Sequence, residues 1–557
     1  MHQYSELLRD ILEKRGLKTE QEISSFLNPD YEKDLHDPFL MRDMERACMK
    51  LFEVVDAKEK TIIYADYDCD GIPGAVILES LFKKIGYQNY KVYIPQRNSE
   101  GYGLNLSAIK QFAEKKVKLL ITIDLGITAV AEVSQAIVNG MDVIITDHHL
   151  SKEILPRAYA ILNPKVDDYP EKILCGAGVV FKFVQGFVKK YGEFYKINVG
   201  WEKWLLDMAG LATLSDQVPL FGENRVISYF GMKVLRKSPR LGLQKLLAKM
   251  NIEQKYLSED DVGFMITPRL NAASRMDDPM RAYELLSAYD EAKAGALADH
   301  LSKINDERKT MVTSIMREVN KTFEKREVGE IKEVCVIGNP KWRIGVLGLV
   351  AGKIADAHKK PVFVWGRDEN DIIKGSCRSD GSVSVVELMT ATSEYFSEFG
   401  GHELAGGFSV HNEKIHFLEE ALSLSYQKVK KPKLINETKY DAKVGLGAVT
   451  MKNWNEIDRL APFGMGNGKP IFLFENVKVE KIKQFGKNGS GEHLEIVVSN
   501  SNDQEKKKGV KAVAFFSGLD SFKKKIVEQE KINLLAVFDL SRFGGKIELR
   551  LRIVDIS

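Results

Sequence analysis

Cysteine is scarce in these 557 residues: Cys48, Cys69, Cys175, Cys335 and Cys377, odd in number and none in a CxxC pair. That excludes a disulfide framework and a structural zinc ribbon, and it points to a reducing compartment. No apolar stretch approaches the roughly 20 residues of a membrane span. The N-terminus, Met-His-Gln-Tyr-Ser-Glu-Leu-Leu-Arg-Asp, is too charged for a signal peptide. A soluble, cytoplasmic protein without membrane contact is expected. Charge of one sign is not in excess either: 81 Lys plus Arg stand against 78 Asp plus Glu, a net +3. This neither calls for nucleic acid nor excludes it, since an acidic metal site offsets a basic groove. Hydrophobic content of 44% and charged content of 29% suit globular cores, and the length suits about three to four domains.

Residues 1 to 48 read as helical and polar, with Leu7, Leu8 and Ile11 on one face. From 60 to 165, the apolar runs Thr61–Ala65, Lys91–Ile94, Leu119–Ile123, Val143–Thr146 and Tyr159–Leu162 alternate with amphipathic segments around 75–85, 106–115 and 129–138. Such alternation predicts a parallel sheet with helices on both faces, whose ligands bind at the carboxyl ends of the strands. Residues 180–290 read as mostly helical. Leu297, Leu301, Ile304, Met311, Ile315, Val319 and Phe323 then keep helical spacing, either as a connector between lobes or as a helix inside one domain. A second α/β unit begins near Val334-Cys335-Val336-Ile337-Gly338, with a further strand at 361–365 and a Gly-rich end at 400–407. From about 435 the runs Ile471–Phe474, His493–Val498, Val510–Phe516, Ile532–Phe538 and Lys546–Val554 suit a small barrel such as an OB-fold.

The chemistry gathers at the predicted strand ends. Asp147-His148-His149 follows Val143–Thr146, and Asp66-Tyr67-Asp68-Cys69-Asp70-Gly71 follows Thr61–Ala65. Asp124 ends Leu120–Ile123 and precedes Gly126; Asp216 ends Leu211–Ser215. For any one of these acids alone, a helix N-cap is the better reading. As a set with His148 they carry too much negative charge to cluster without cations. Carboxylate and imidazole donors suit Mn²⁺, Fe²⁺, Zn²⁺ or a mixed two-metal site. Two divalent ions would clamp an in-line displacement at phosphorus. Arg97, Arg269, Arg275 and Arg378 lie near small residues and are candidate phosphate contacts, or solvated surface arginines. Lys506-Lys507-Lys508 and Lys523-Lys524-Lys525 are solvated loops or the lining of a nucleic-acid groove. Phe463, Phe472, Phe485, Phe515 and Phe516 are stacking candidates or core.

The order of these motifs resembles the RecJ family, the bacterial single-strand-specific 5′→3′ exonucleases of the DHH phosphoesterase superfamily. The likeness runs from Asn28-Pro29 and Asp37-Pro38-Phe39 through the acidic and histidine clusters. It continues in Leu211-Ala212-Thr213, Pro268-Arg269-Leu270-Asn271-Ala272-Ala273, Gly345–Ala351 and Gly400-Gly401-His402, and ends in Ala461–Asn467. The resemblance implies an N-terminal extension over 1–48, a parallel-sheet DHH domain over 49–225 and a helical region with connector helix over 226–325. A smaller α/β DHHA1 domain over 326–430 and an OB-like β-barrel over 435–557 complete it.

Carried over by position, the resemblance implies metal ligation by Asp66, Asp68, Asp124, His148 and Asp216, holding two divalent ions, Mn²⁺ or Mg²⁺. His149 would contact the scissile phosphate, Asp147 would hold the imidazoles, and Asp70 is placed with them among the catalytic residues. Arg97, Arg269, Asn271, Arg275, Ser376, Arg378 and His402 would contact DNA or line the cleft between lobes. The implied substrate is single-stranded DNA in repair and recombination, the implied partners a single-strand-binding protein and a helicase, and the implied state a monomer. Against the family's usual residues, Leu125 replaces Asn beside a metal ligand, Ser274 replaces Gly, Arg343 replaces His at a place that would grip the nucleotide, and Gly406 replaces Ala. A dinucleotide or pyrophosphate phosphatase of the same superfamily would lack the extension and the barrel. A non-catalytic scaffold would have lost ligands, and all five stand in this sequence.

Overall fold

The computed structural model describes residues 4–97, 99–325, 332–429, 440–486, 493–500, 509–522, 524–542 and 546–557. The chain divides into two units: His36–Val218 with Phe230–Leu434, and Met1–Leu35 with Pro219–Tyr229 and Ile435–Ser557.

The first unit has five strands: β1 (Thr61–Ala65), β2 (Tyr90–Tyr93), β3 (Leu119–Ile123), β4 (Asp142–Thr146) and β5 (Ala160–Leu162); the apolar runs of β1, β3 and β5 are buried throughout, whereas β2, at the sheet edge, exposes Lys91. All four pairings are parallel, in the order β2-β1-β3-β4-β5. Strand order reverses at β1, so the crevice beyond the ends of β1 and β3 is where such a sheet binds ligands. Helices Gly71–Lys84, Leu106–Glu114, Val130–Val138 and Gly176–Tyr191 cover the faces. Ile62, Tyr64, Leu120 and Ile145 pack with Ile109, Phe112, Val133 and Ala136 in one apolar core.

The connector expected from Leu297 to Phe323 is a 35-residue helix, Glu291–Lys325, about 52 Å long at 1.5 Å per residue. It leads to a second sheet of β6 (Cys335–Gly338), β7 (Val362–Arg367), β8 (Ile373–Arg378), β9 (Phe396–His402) and β10 (Ala405–Val410), in the order β6-β7-β8-β10-β9. The Gly-rich segment is the hairpin of β9 and β10. Gly401 sits there at φ +146°, where a Cβ would fall 2.4 Å from the Ala405 carbonyl.

The other unit is built on β11 (Ala442–Lys443), β12 (Phe472–Phe485), β13 (His493–Asn500), β14 (Val510–Ala514), β15 (Lys531–Ser541) and β16 (Glu548–Ile556). Pairing of β12 with both β13 and β15 closes a five-stranded barrel. β12 runs eleven residues beyond the expected Phe474, bending at irregularities near Phe474/Val477 and Val479/Lys481. Its alternating Lys and Glu face solvent and mask the strand in the sequence.

Of residues 1–48, Met1–Leu35 groups with the barrel and 36–48 with the other unit. Helices Glu6–Lys14 and Glu20–Leu27 join the barrel core, placing Leu8, Ile11, Leu12, Phe26 and Leu27 with Leu460, Phe472 and Phe474. Two amphipathic helices of eight or nine residues cannot bury their apolar faces against each other alone. Arg225 fastens this arrangement, donating to the carbonyls of Phe26 (2.6 Å), Leu460 (3.1 Å) and Ala461 (3.2 Å). Burial lowers its pKa to about 10. Among the described residues no helix is long and apolar enough to cross a membrane.

Candidate functional site

The loop between β1 and helix Gly71–Lys84 turns on Asp68. Its Oδ1 accepts the backbone N–H of Asp70 (2.8 Å) and of Gly71 (3.3 Å). Gly71 presses against the chain, since a Cβ there would fall 2.5 Å from the Asp66 carbonyl oxygen. Asp70 Oδ2 and Oδ1 accept the N–H groups of Gly176 (2.6 Å) and Ala177 (2.7 Å), capping helix Gly176–Tyr191. Asp70 therefore fixes a helix N-terminus beneath the cluster. A Cβ on Gly176 would fall 2.6 Å from Asp124 Cβ, so this glycine makes room for Asp124.

Asp124 ends β3 at φ +62°, a left-handed conformation Asp tolerates better than most residues. Its N–H donates to the Thr146 carbonyl at 2.9 Å, joining it to the end of β4. From β4, Asp147 is the organiser. Its Oδ1 accepts the N–H of His148 (2.7 Å) and of His149 (3.1 Å) and the His149 Nδ1–H (2.7 Å), and its Oδ2 accepts the Ile127 N–H (2.9 Å). Although burial opposes it, the bond from His149 and these N–H groups hold the Asp147 carboxyl below its usual range. His148 Nε2 lies 3.1 Å from Asp124 Oδ1, 3.8 Å from Asp70 Oδ2 and 3.9 Å from Asp216 Oδ2. Asp216 arrives differently, from the C-terminus of helix Leu206–Ser215.

These donors converge. Asp66, Asp68 and Asp124 bring one oxygen each within 4.8 Å of one another, as do the donors of Asp70, His148 and Asp216, and those of Asp124, His148 and His149. Oδ1 of Asp66 and Oδ1 of Asp124 are buried with no hydrogen-bond partner, a costly state for a carboxylate unless a cation accepts it. Burial first, and then the neighbouring carboxylates, push Asp66 and Asp124 well above the ordinary range and Asp216 to about 9. Burial, and then the charge of His149, lowers His148 to about 3, so its imidazole is neutral and ready to ligate. The residues therefore fit a pair of divalent cations. Asp70 is the least suited of the donors, because both its oxygens already accept backbone N–H groups.

Besides the acids and histidines, the cleft, about 260 Å³, is lined by Tyr67, Arg97, Tyr102, Asn271, Ser274 and Arg275. Arg97 lies over the Tyr67 ring at 5.1 Å. Burial, and then the charges of Arg97, Arg308 and Arg378, lower Arg275 to about 9, as expected where guanidiniums gather to receive an anion. Asn271 Oδ1 accepts the Cys69 N–H at 2.8 Å, bracing the acidic loop rather than simply facing the cleft. Ser376 and Arg378 lie two apart on β8, on one face of the strand. Gly348 leaves open the space beside them: a Cβ there would stand 3.2 Å from Arg378 Nη2 and 3.6 Å from Ser376 Oγ. His402, at the end of β9, faces the His149 ring at 6.5 Å with planes 10° apart.

The other residues singled out in the sequence are placed as follows. Arg269 is buried, and its Nη1 donates to the Met265 carbonyl at 2.8 Å. Leu125 removes nothing from the metal site, because its side chain lies in the apolar core with Ile127 and Ile145. Arg343 Nη2 donates to the Met276 carbonyl at 2.6 Å and ties down a helix end. Ser274 is buried beside the cleft, its hydroxyl donating to the Asn271 carbonyl at 3.3 Å. A Cβ on Gly406 would stand 2.9 Å from the Gly400 carbonyl, within a tightly packed hairpin.

Two residues went unnoticed in the sequence. The Tyr102 hydroxyl lies 3.3 Å from the Asp124 carbonyl and 3.4 Å from His149 Nδ1. Lys165 is half-buried, and its basicity is lowered by burial against the pull of Asp147 and Asp216. An aromatic between two glycines and a lysine after Asn-Pro carry no chemical signal of their own.

On the barrel, Phe472 is core and Phe463 packs partly against it. Phe485, Phe515 and Phe516 surround His493 at 5.1, 5.6 and 5.0 Å between ring centres. Phe516 is 85% exposed, and Arg550 and Arg552 lie over Phe515. Lys506, Lys507, Lys508 and Lys523 lie outside the described residues; Lys524 donates to the Lys531 carbonyl.

The DHH family N-terminal domain matches residues 60–213, the DHHA1 domain residues 331–431 and the RecJ OB domain residues 440–555. The single-stranded-DNA-specific exonuclease RecJ of Bacillus subtilis (strain 168) is 32% identical over 555 residues, covering 99% of this chain and 68% of that protein. The protein of the same name from Escherichia coli (strain K12) is 28% identical over 481 residues, 84% of this chain and 82% of its own. The crystal structure of RecJ from Thermus thermophilus with Mn²⁺ shares the fold, with a TM-score of 0.82 at 24% identity over 100% of this chain and 76% of that one. An exonuclease RecJ bound to manganese matches with a TM-score of 0.62 at 27% identity, over 71% of this chain and 97% of that one.

Proposed function

The chain belongs to the RecJ family of DHH phosphoesterases, and we propose from that premise that it releases 5′-mononucleotides stepwise from the 5′ end of single-stranded DNA. It is a single-stranded-DNA-specific exonuclease, a metal-dependent phosphodiesterase of DNA repair and recombination. The observation that carries this reading is one cleft lined by Asp66, Asp68, Asp124, His148 and Asp216 together with Arg97 and Arg275.

Asp66, Asp68 and Asp124 would hold one divalent ion, and His148 and Asp216 a second. Such ions, when bound, supply Lewis-acid stabilisation to the attacking and leaving oxygens of an in-line displacement at phosphorus. The protein supplies the rest. Asp147 fixes His149 with Nδ1–H donated, so Nε2 carries the mobile proton, directed to the oxygen that leaves phosphorus. Despite burial, the bond to Asp147 raises the basicity of His149 and favours the protonated form that this step needs. Arg97, Arg275 and Arg378, with Ser376, receive the 5′ phosphate and place the first phosphodiester over the acids. The half-buried Lys165 adds positive charge beside His149 and Asp216. Phe516, with Phe485 and Phe515, offers bases a stacking surface on the barrel. The single-strand-binding protein, the helicase and the monomeric state belong to this proposal and rest on the family resemblance.

The test is a single strand with a 5′ phosphate, labelled at either end, incubated with Mn²⁺ or with chelator. Mononucleotides are expected from the 5′ end, and only with metal. Release from the 3′ end, or turnover confined to dinucleotides, would overturn the proposal. For the phosphate pocket, Arg378→Ala is expected to reduce the preference for a 5′-phosphorylated over a 5′-hydroxyl strand by about tenfold, the order of one charge-assisted contact. An unchanged kcat/KM ratio for the two strands removes Arg378 from the pocket.

A further inference from the structure

Buried polar atoms without a hydrogen-bond partner mark the metal cluster, and the same signature recurs elsewhere with more atoms. On helix Glu291–Lys325 it takes in Ser302 Oγ, both side-chain polar atoms of Asn305 and Nε of Arg308; on helix Thr267–Met276 it takes in Nε of Arg269. Residues 302, 305 and 308 are three apart and share one stripe of their helix, and the two helices pack on each other. Asn305 is fully buried and Arg269 only 8% exposed, while Arg308 is half-buried and reaches solvent. None of these residues lines the catalytic cleft.

Two guanidiniums and one carboxylate, Asp306, meet here. Burial, and then the charge of Arg269, lowers the basicity of Arg308; Asp306 opposes that shift but is itself 69% exposed. Arg269 gives one N–H to the Met265 carbonyl. What remains is an excess of buried donors: two guanidinium Nε–H groups, the Asn305 amide N–H groups and the Ser302 hydroxyl, against the Asn305 and Ser302 oxygens and an Asp306 carboxylate that is mostly in solvent. Buried like charges with donors to spare are stabilised by an anion offering several acceptors, and a tetrahedral oxyanion matches the guanidinium fork. We propose that Arg269 and Arg308, backed by Asn305 and Ser302, bind a phosphate-class oxyanion at a site separate from the catalytic cleft. Its source is either inorganic phosphate or the outer phosphates of a 5′-polyphosphorylated strand reaching past Arg275, whose charge Arg308 also feels.

The full chain is heated in phosphate and in chloride at equal ionic strength. Phosphate is expected to raise Tm saturably by roughly 2–4 °C. Arg308→Gln is expected to lose that rise and Arg97→Ala to keep it. No saturable rise, or a rise lost in Arg97→Ala and kept in Arg308→Gln, overturns the proposal, the latter placing the anion in the cleft. Should Arg308→Gln not fold, wild-type crystals soaked in selenate decide: an anomalous peak between Arg269 and Arg308 supports the site, and its absence there refutes it. Affinity for 5′-triphosphorylated strands identifies the source. A roughly tenfold loss in Arg308→Gln, with 5′-monophosphorylated strands unaffected, indicates the strand end; equal affinity with the phosphate-dependent Tm rise intact in wild type indicates inorganic phosphate. Strand cleavage is scored separately, so failure of this site leaves the exonuclease reading standing, and the reverse.

Discussion

Asp124→Asn is expected to lower nucleotide release at least about 1,000-fold, some 4 kcal/mol of transition-state stabilisation, while single-strand affinity stays within about twofold. Asp124 contributes to two of the three converging donor groups and its Oδ1 lies 3.1 Å from His148 Nε2, so its loss removes a donor from the middle of the cluster. Asparagine is the informative replacement. Asp124 sits at φ +62°, where asparagine is tolerated and alanine adds about 1 kcal/mol of backbone strain. The amide also keeps the shape that Gly176 accommodates, so lost turnover reads as lost charge, not lost fold. Asp124→Ala should be equally inactive and somewhat less stable. Labelled product release measures the first quantity and fluorescence anisotropy on a single strand the second. Turnover within tenfold of the parent would remove Asp124 from the metal site, and lost binding would mean that the strand is gripped by the acids and not by the arginines.

The catalytic sheet and its acids were legible because two independent rules coincide. A strand buried on both faces must be apolar throughout, and a ligand at the end of a parallel strand must come from the residue just beyond it. Asp66 and Asp124 obey both, and Asp147, at the same place beyond β4, positions the histidines. Asp216 lies beyond a helix, and its place in the site came from the family resemblance and from company, not from period. Side-chain direction was not legible. Leu125 stands next to a ligand in sequence yet points into the core, and Arg269 stands two residues from Asn271 yet donates to the Met265 carbonyl. At helix ends and strand ends one step along the chain changes the face, and only packing decides which face is which. The partner of helices Glu6–Lys14 and Glu20–Leu27 lies more than 400 residues away, a separation no local pattern encodes. β12 was cut short because its outer face is Lys and Glu, and the bends between Phe474 and Lys481 break the alternation that marks a strand.

Removing metal is the second large perturbation expected. Without cations the folded state must hold the carboxylates of Asp66, Asp124 and Asp216 in one cleft, where burial and mutual repulsion disfavour their charged forms. The unfolded chain disperses them. Divalent ions that bind the folded site alone therefore stabilise it by mass action, by about 2.7 kcal/mol at a hundredfold excess over Kd. For the larger unit this amounts to roughly 3–6 °C in Tm. Mn²⁺ is expected to raise Tm by that amount over chelator, with Mg²⁺ acting in the same sense. Asp124→Asn separates the two contributions, because it relieves repulsion and removes a ligand together. In chelator the variant should melt at or above the parent, and added Mn²⁺ should leave it nearly unchanged. Calorimetry with and without Mn²⁺ measures both quantities. A variant less stable than the parent in chelator would mean that the cluster is held by internal hydrogen bonds and needs no cation, which the unpartnered oxygens of Asp66 and Asp124 argue against.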